Sequence, residues 1–104
     1  MMSLSDKIAF LFPGDEGKRI SVTETPSGNL SVSIDVHGLK CWQAERSIRN
    51  LINLARCPFT LTIIHGYNHG TAILDMVRND LASSHIKSRY ADNYNPGVTY
   101  LAIA

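Results

Sequence analysis

The chain has 104 residues, 44% of them apolar and 18% charged. These values describe one domain large enough to bury its own core, and they exclude a disordered segment or a fold that depends on metal or disulfide staples. The net charge of +1 excludes the strongly basic signature of a domain held to nucleic acid by charge alone.

The charge is unevenly spread. Residues 1–39 hold three basic and five acidic groups, for −2, and residues 40–104 hold seven basic and four acidic groups, for +3. The later part therefore leans toward anionic partners. Near the start the longest apolar run is Ile8 to Phe12, too short for a signal peptide or a membrane span, so the expected location is the cytoplasm with no membrane partner.

In chain order, residues 1–18 carry that short apolar run and then a turn at Pro13-Gly14-Asp15-Glu16-Gly17. Ile20, Val22 and Glu24 alternate with Ser21, Thr23 and Thr25, a strand that turns at Pro26-Ser27-Gly28-Asn29 into a second strand, Leu30 to Val36. Leu30, Val32, Ile34 and Val36 share one face, while Ser31, Ser33, Asp35 and His37 share the other, so Asp35 and His37 point the same way. Gly38 turns the chain, and from Cys41 to Arg56 the residues Ala44, Ile48, Leu51, Ile52 and Ala55 form the apolar stripe of an amphipathic helix. Arg46, Arg49, Asn53 and Arg56 line its opposite face, either as a solvated row or as a phosphate-contacting stripe. Cys57-Pro58 stops the helix. Cys41 and Cys57, about 24 Å apart at roughly 1.5 Å per residue, cannot pair along it.

Thr60 to Ile64 reads as a central strand covered on both faces. It ends in His65-Gly66, and the loop Tyr67-Asn68-His69-Gly70 leads into a second helix from Thr71 to about Ser83, with Ile73, Leu74, Val77 and Leu81 inward. Ile86 to Ala91 and Val98 to Ile103 are strands joined by a turn. The pattern predicts an α/β two-layer sandwich. It has a mixed four-stranded sheet with two helices on one face, in the order βαβαββ, plus an N-terminal β-hairpin strand. The expected division is an N-terminal extension at 1–31 and a domain at 32–104.

Two strands thus end in His-Gly, each followed by a helix, and right-handed parallel connections bring both ends to one edge of the sheet, where open α/β folds place their chemistry. Imidazole exchanges protons near neutral pH, and a carboxylate behind it can orient the ring, which makes Asp35, His37 and His65 the candidate catalytic set. An aspartate with two or three histidines could also ligate a metal, a weak signature that no other residue strengthens. Glycines in the loop Gly66 to Gly70 serve either a tight turn or the approach of a phosphate to backbone N–H groups.

These residues resemble the small MutS-related (Smr) domain family. Ile34-Asp35-Val36-His37-Gly38-Leu39, with Ala44 and Glu45 after it, is similar to the family's L-D-L-H-G strand end. Ile63-Ile64-His65-Gly66-Tyr67-Asn68-His69-Gly70 is similar to its I-I-H-G-x-G-x-G motif, and Gly97-Val98-Thr99-Tyr100-Leu101 to its closing G-V-T strand. The resemblance covers residues 32 to 104, with Asn68 in place of the middle glycine and Lys40 in place of a capping threonine. It implies a fold like the C-terminal domain of translation initiation factor three and an endonuclease that cleaves RNA or nicks DNA. The alternative is a non-catalytic nucleic-acid or ribosome-binding module, and a plain protein-interaction domain is a third class. The implied partner is nucleic acid, contacted through Gly66, Asn68, Gly70, Arg46, Arg49 and Arg56. The cofactor stays open between a divalent metal such as magnesium and none.

Overall fold

The computed structural model describes residues 4–54, 57–66 and 70–104. Among the expectations above, those for Ala55, Arg56, Tyr67, Asn68 and His69 lie outside the described residues. The strands β1 (Ile20–Glu24), β2 (Leu30–Asp35), β3 (Phe59–Ile64), β4 (Ile86–Ala91) and β5 (Val98–Ile103) form one mixed sheet in the order β1-β2-β3-β5-β4. Only β2 and β3 run parallel, with Asp35 opposite Ile64, while the other neighbours are antiparallel. The hairpin strand β1 is therefore an edge, as its alternating sequence and the positive φ of Gly28 in the turn that follows it allow.

One face of the sheet makes the core. Val32, Ile34 and Val36 from β2, Leu61 and Ile63 from β3, and Leu101 from β5 are at most 1% exposed. Against them pack α1 (Leu4–Leu11), α2 (Asp15–Lys18), α3 (Cys41–Leu54) and α4 (Ala72–Asp75), which widens into a π-helix at Met76–Asp80. Ala44, Ile48, Leu51 and Ile52 of α3 are fully buried, the stripe that its 3.6-residue period predicts. Lys40 does not leave that helix uncapped: its N–H donates to Gln43 Oε1 at 3.0 Å, the reciprocal half of a capping box.

Two expectations need correction, and a segment that carried no assignment is helical: Leu4–Leu11 forms α1, and Ile8 and Phe12 join the same core. The strand β3 is not covered on both faces: Phe59, Leu61 and Ile63 are buried, Thr60 and Thr62 are half-buried and Ile64 is exposed, so it alternates like β2. The expected long second helix is one α-turn followed by a π-helix, in which the Leu81 N–H reaches back to Met76 O. The wider turn buries Met76, Val77 and Leu81 and leaves Ile73 and Leu74 half-buried. Arg89 Nη1 donates to Val77 O at 2.8 Å, supplying a partner inside the irregular turn. Among the described residues no helix is long and apolar enough to cross a membrane.

Candidate nucleic-acid site

The parallel pairing of β2 and β3 brings both His-Gly ends to one sheet edge, where they line a groove of about 630 Å³. His37, His65, Gly66 and Gly70 all border it, together with Cys41 at the start of α3 and Asn95 from the β4–β5 loop. A smaller concavity of about 360 Å³ between α1 and α3 is lined, among the described residues, by Leu11, Phe12, Asn50, Asn53 and Leu54.

His37 is the exposed member of the pair, with 65% of its side chain accessible. Its Nδ1 bonds Asp35 Oδ1, and its backbone N–H donates to the same oxygen at 3.1 Å. A carboxylate only accepts, so Nδ1 carries a proton, and in the neutral ring the lone pair is on Nε2. Arg19 fixes this strand end from β1's side: its Nη1 donates to Asp35 O at 3.1 Å and to His37 O at 3.4 Å. Arg19 carries no signal in the sequence, since it precedes an edge strand far from either motif.

His65 is in a different environment, 5% exposed and bonded at both ring nitrogens. Nδ1 faces Gly66 O at 2.8 Å, an acceptor, and must donate. Nε2 then accepts from the Thr99 hydroxyl at 2.8 Å, while Thr99 Oγ1 accepts from Arg78 Nε at 2.9 Å. Arg78 also reaches Pro96 O and Val98 O, so one guanidinium ties the π-helix to the start of β5. Burial holds the His65 imidazole below its ordinary value, partly offset by the hydrogen bond to the Gly66 carbonyl and helped by the smaller effect of the Arg78 charge, so the neutral ring is favoured. His65 therefore braces the groove from beneath.

The anion-binding expectation for the loop changes in part. The N–H groups of His65 and Gly66 both donate to Gly97 O, at 2.9 and 3.0 Å, so they are spent inside the fold. Glycine at position 97 suits this contact, since a Cβ there would stand 3.1 Å from Gly66 Cα and would push the two segments apart. Asp75 places a carboxylate in the first turn of α4, where it accepts from Thr71 Oγ1. Gly70, at φ +114°, keeps the groove wall free of a side chain. Of the arginine row, Arg49 is tied to Glu45 at 2.9 Å and to Ala82 O at 2.8 Å, and Arg46 lies over the exposed Trp42 ring at 5.1 Å. Arg49 thus serves α3 itself, a correction to the idea of a uniform guanidinium row. Cys41 is half-buried with its thiol pushed up, first by burial and then by Glu45 and Asp80, and Cys57 is exposed and unpaired.

No protein-family model and no curated protein matches the chain. Among solved structures, the Smr domain of MutS2 from Thermus thermophilus aligns with a TM-score of 0.55 at 23% identity, over 69% of this chain and 96% of that domain. The fold is that of an Smr domain. Within this Smr fold the two His-Gly motifs take opposite sides of one strand end, His37 outward beside Asp35 and His65 inward under the helices. Among the described residues no three His, Cys, Asp or Glu side chains come together as a metal-binding set.

Proposed function

We propose that the chain is a cytoplasmic endonuclease of the Smr type that cuts RNA, with His37 as general base and Asp35 as the group that orients it. The observation that carries this reading is the exposed His37 ring, held by Asp35 through Nδ1 so that Nε2 is the basic nitrogen at the mouth of a groove. The nucleophile that suits an imidazole base held in this way is the substrate's own 2′-hydroxyl, whose proton Nε2 can take directly. His37 Nε2 takes its proton, O2′ bonds to phosphorus, and the P–O5′ bond breaks. The products are a 2′,3′-cyclic phosphate and a 5′-hydroxyl, whose proton comes from water in the open groove.

His65 is then a positioning residue, holding Gly66 against Gly97 beside the His37 side chain, which would lie 3.5 Å from a Cβ at Gly66. Gly66 and Gly70 keep the wall low for a phosphate, and Arg46 is the candidate phosphate contact on α3, since Arg49 is engaged with Glu45. Loss of a positioned base typically lowers rates about 10²- to 10⁴-fold, so His37→Ala should lose cleavage by that factor while binding persists. End-labelled RNA and its 2′-deoxy analogue, incubated with and without chelator, provide the test. Full activity in His37→Ala, or equal cutting of the deoxy strand, would sink the mechanism. One observation favours a second reading: the other motif histidine is locked inside the fold and cannot act as acid. If the wild type binds RNA and never cuts it, the chain is a non-catalytic RNA-binding module, whether its RNA is free or ribosomal.

A further inference from the structure

We propose that the open face of the sheet is a stacking platform for the unpaired bases of single-stranded RNA, with Tyr90 as its principal ring. The inference rests on the nucleic-acid reading above and names its substrate class. It begins from alternation. The side chains that β2, β3 and β5 turn away from the core are Ser31, Ser33 and Asp35, Thr60, Thr62 and Ile64, and Val98, Tyr100 and Ala102. The register aligns them into rows. Ser21, Ser33, Thr62, Tyr100 and Tyr90 lie side by side across the sheet, and the next row toward the groove holds Asp35, Ile64 and Val98. The Asp35–His37 pair is therefore the edge of this same surface.

The chemistry of the rows selects the occupant. Hydroxyls dominate, which suits neither a membrane nor an apolar protein partner, and the row from Ser21 to Tyr90 carries no charged side chain for a duplex backbone. They do carry rings. Tyr90 is 51% exposed and stacks on Tyr100 with centroids 5.3 Å apart and planes 29° from parallel, which leaves its other side accessible. Tyr100 is fixed by its hydroxyl, which donates to Asp92 Oδ2, and Oδ1 of the same aspartate accepts the N–H groups of Tyr94 and Asn95. One carboxylate thus sets the Tyr100 ring and the loop that holds Tyr94, 94% exposed, next to it. Ring faces and hydroxyls recognise bases that are unstacked and turned outward, which a duplex does not offer. At about 4.8 Å between strands, Tyr90 on β4 lies roughly 14 Å across the sheet from the pair on β2, a span that a short single strand can bridge.

The test is a fluorescence-anisotropy titration of the full chain with a short labelled single-stranded RNA and with the same RNA annealed to its complement, at several salt concentrations. The single strand should bind more tightly than the duplex. Tyr90→Ala should weaken single-strand binding roughly 5- to 100-fold, the loss expected for one base–ring stack, with the salt slope unchanged because no phosphate contact is lost. Tyr90→Phe should restore it, since the ring face and not the hydroxyl is used. Unchanged affinity in Tyr90→Ala, failure of Tyr90→Phe to rescue, or equal binding of the duplex would overturn the platform. Cleavage of the same strand separates the two proposals. Cutting that survives Tyr90→Ala with unchanged KM removes the platform and keeps the nuclease, whereas Tyr90-dependent binding without cutting keeps the platform and removes the nuclease. No binding of either RNA by the wild type ends both.

Discussion

His37 and His65 leave parallel strands one register step apart, and that step assigns them different work. Asp35 pairs with Ile64, so Val36 and His65 fall on the core face while His37 and Gly66 fall outside it. The neutral state of His65 has a consequence for stability. Its folded value is depressed by burial, so as pH falls below the ordinary 6.5 the unfolded chain binds a proton that the folded chain refuses. Stability is complete above that value and declines beneath it. Denaturant titrations at about pH 7.5 and about pH 5.5 should show the decline, and His65→Gln should lose the part of it that belongs to this ring. An identical pH dependence in His65→Gln would mean that the folded chain protonates His65 as readily as the unfolded chain does. Asp92 acts in a separate window. The Tyr100 hydroxyl, then the Tyr94 and Asn95 N–H groups, hold its carboxyl below the ordinary 3.8, so its contribution is present above that value and is lost only in stronger acid. The pairing of Asp35 with His37 was legible in the alternation of β2. The inward turn of His65 was legible too, in Phe59, Leu61 and Ile63 alternating with Thr60 and Thr62, but a run of β-branched residues reads as doubly buried and hides its parity. Arg78 and Arg19 left no sequence trace, because each acts on carbonyls and hydroxyls brought close only by folding.

Among the elements, α3 was the easiest to read and its arginine face the hardest. Periodicity locates Ile48, Leu51 and Ile52 in the core without knowing what they meet. It cannot say whether a guanidinium on the far face meets solvent, phosphate or its own helix. Arg49 takes the third course: it pairs with Glu45 one turn earlier and donates to Ala82 O beyond the π-helix, so it links α3 to the segment before β4. Arg49→Ala should therefore lower stability by about 1 kcal/mol, the net worth of such a bond, and leave the salt dependence of RNA binding where it was. Anisotropy titrations at several salt concentrations, beside a denaturation curve, measure both. A salt slope reduced by about 0.7, the value for one phosphate contact on a single strand, would return Arg49 to the binding surface. The π-helix escaped the sequence for a related reason. The apolar pattern of Ile73, Leu74, Val77 and Leu81 fits a regular helix, and the wider turn depends on Arg89 reaching Val77 O from a strand that comes later in the chain.

At the scale of the whole molecule the open question is how the first 31 residues relate to the rest. The Smr domain of MutS2 matches 69% of the chain, and the three motifs begin only at β2, which is the basis for proposing 32–104 as the unit that folds. The N-terminal part is nevertheless well attached. Ile8, Phe12 and Ile20 belong to the one core cluster, Ser47 in α3 donates to Glu16 Oε2 in α2, and Arg19 holds the carbonyls of Asp35 and His37. None of these ties has a local sequence signature, since each joins residues at least sixteen positions apart or depends on a helix of two turns that packing, more than propensity, stabilises. A fragment of residues 32–104 should therefore fold cooperatively but be several kcal/mol less stable than the full chain. Removing Phe12 alone exposes a core site for which replacement of a phenylalanine by alanine typically costs about 3 to 5 kcal/mol. The strand β2 would also become a bare edge, its groups that pair with β1 open to association. Urea titrations of the two chains measure the difference, and light scattering reports the exposed edge. A fragment with no cooperative transition would move the boundary of the folding unit back to α1, and the loss of Arg19 would then remove the His37 strand end along with the core. A fragment that folds and still places Asp35 beside His37 should retain whatever RNA cleavage the full chain has.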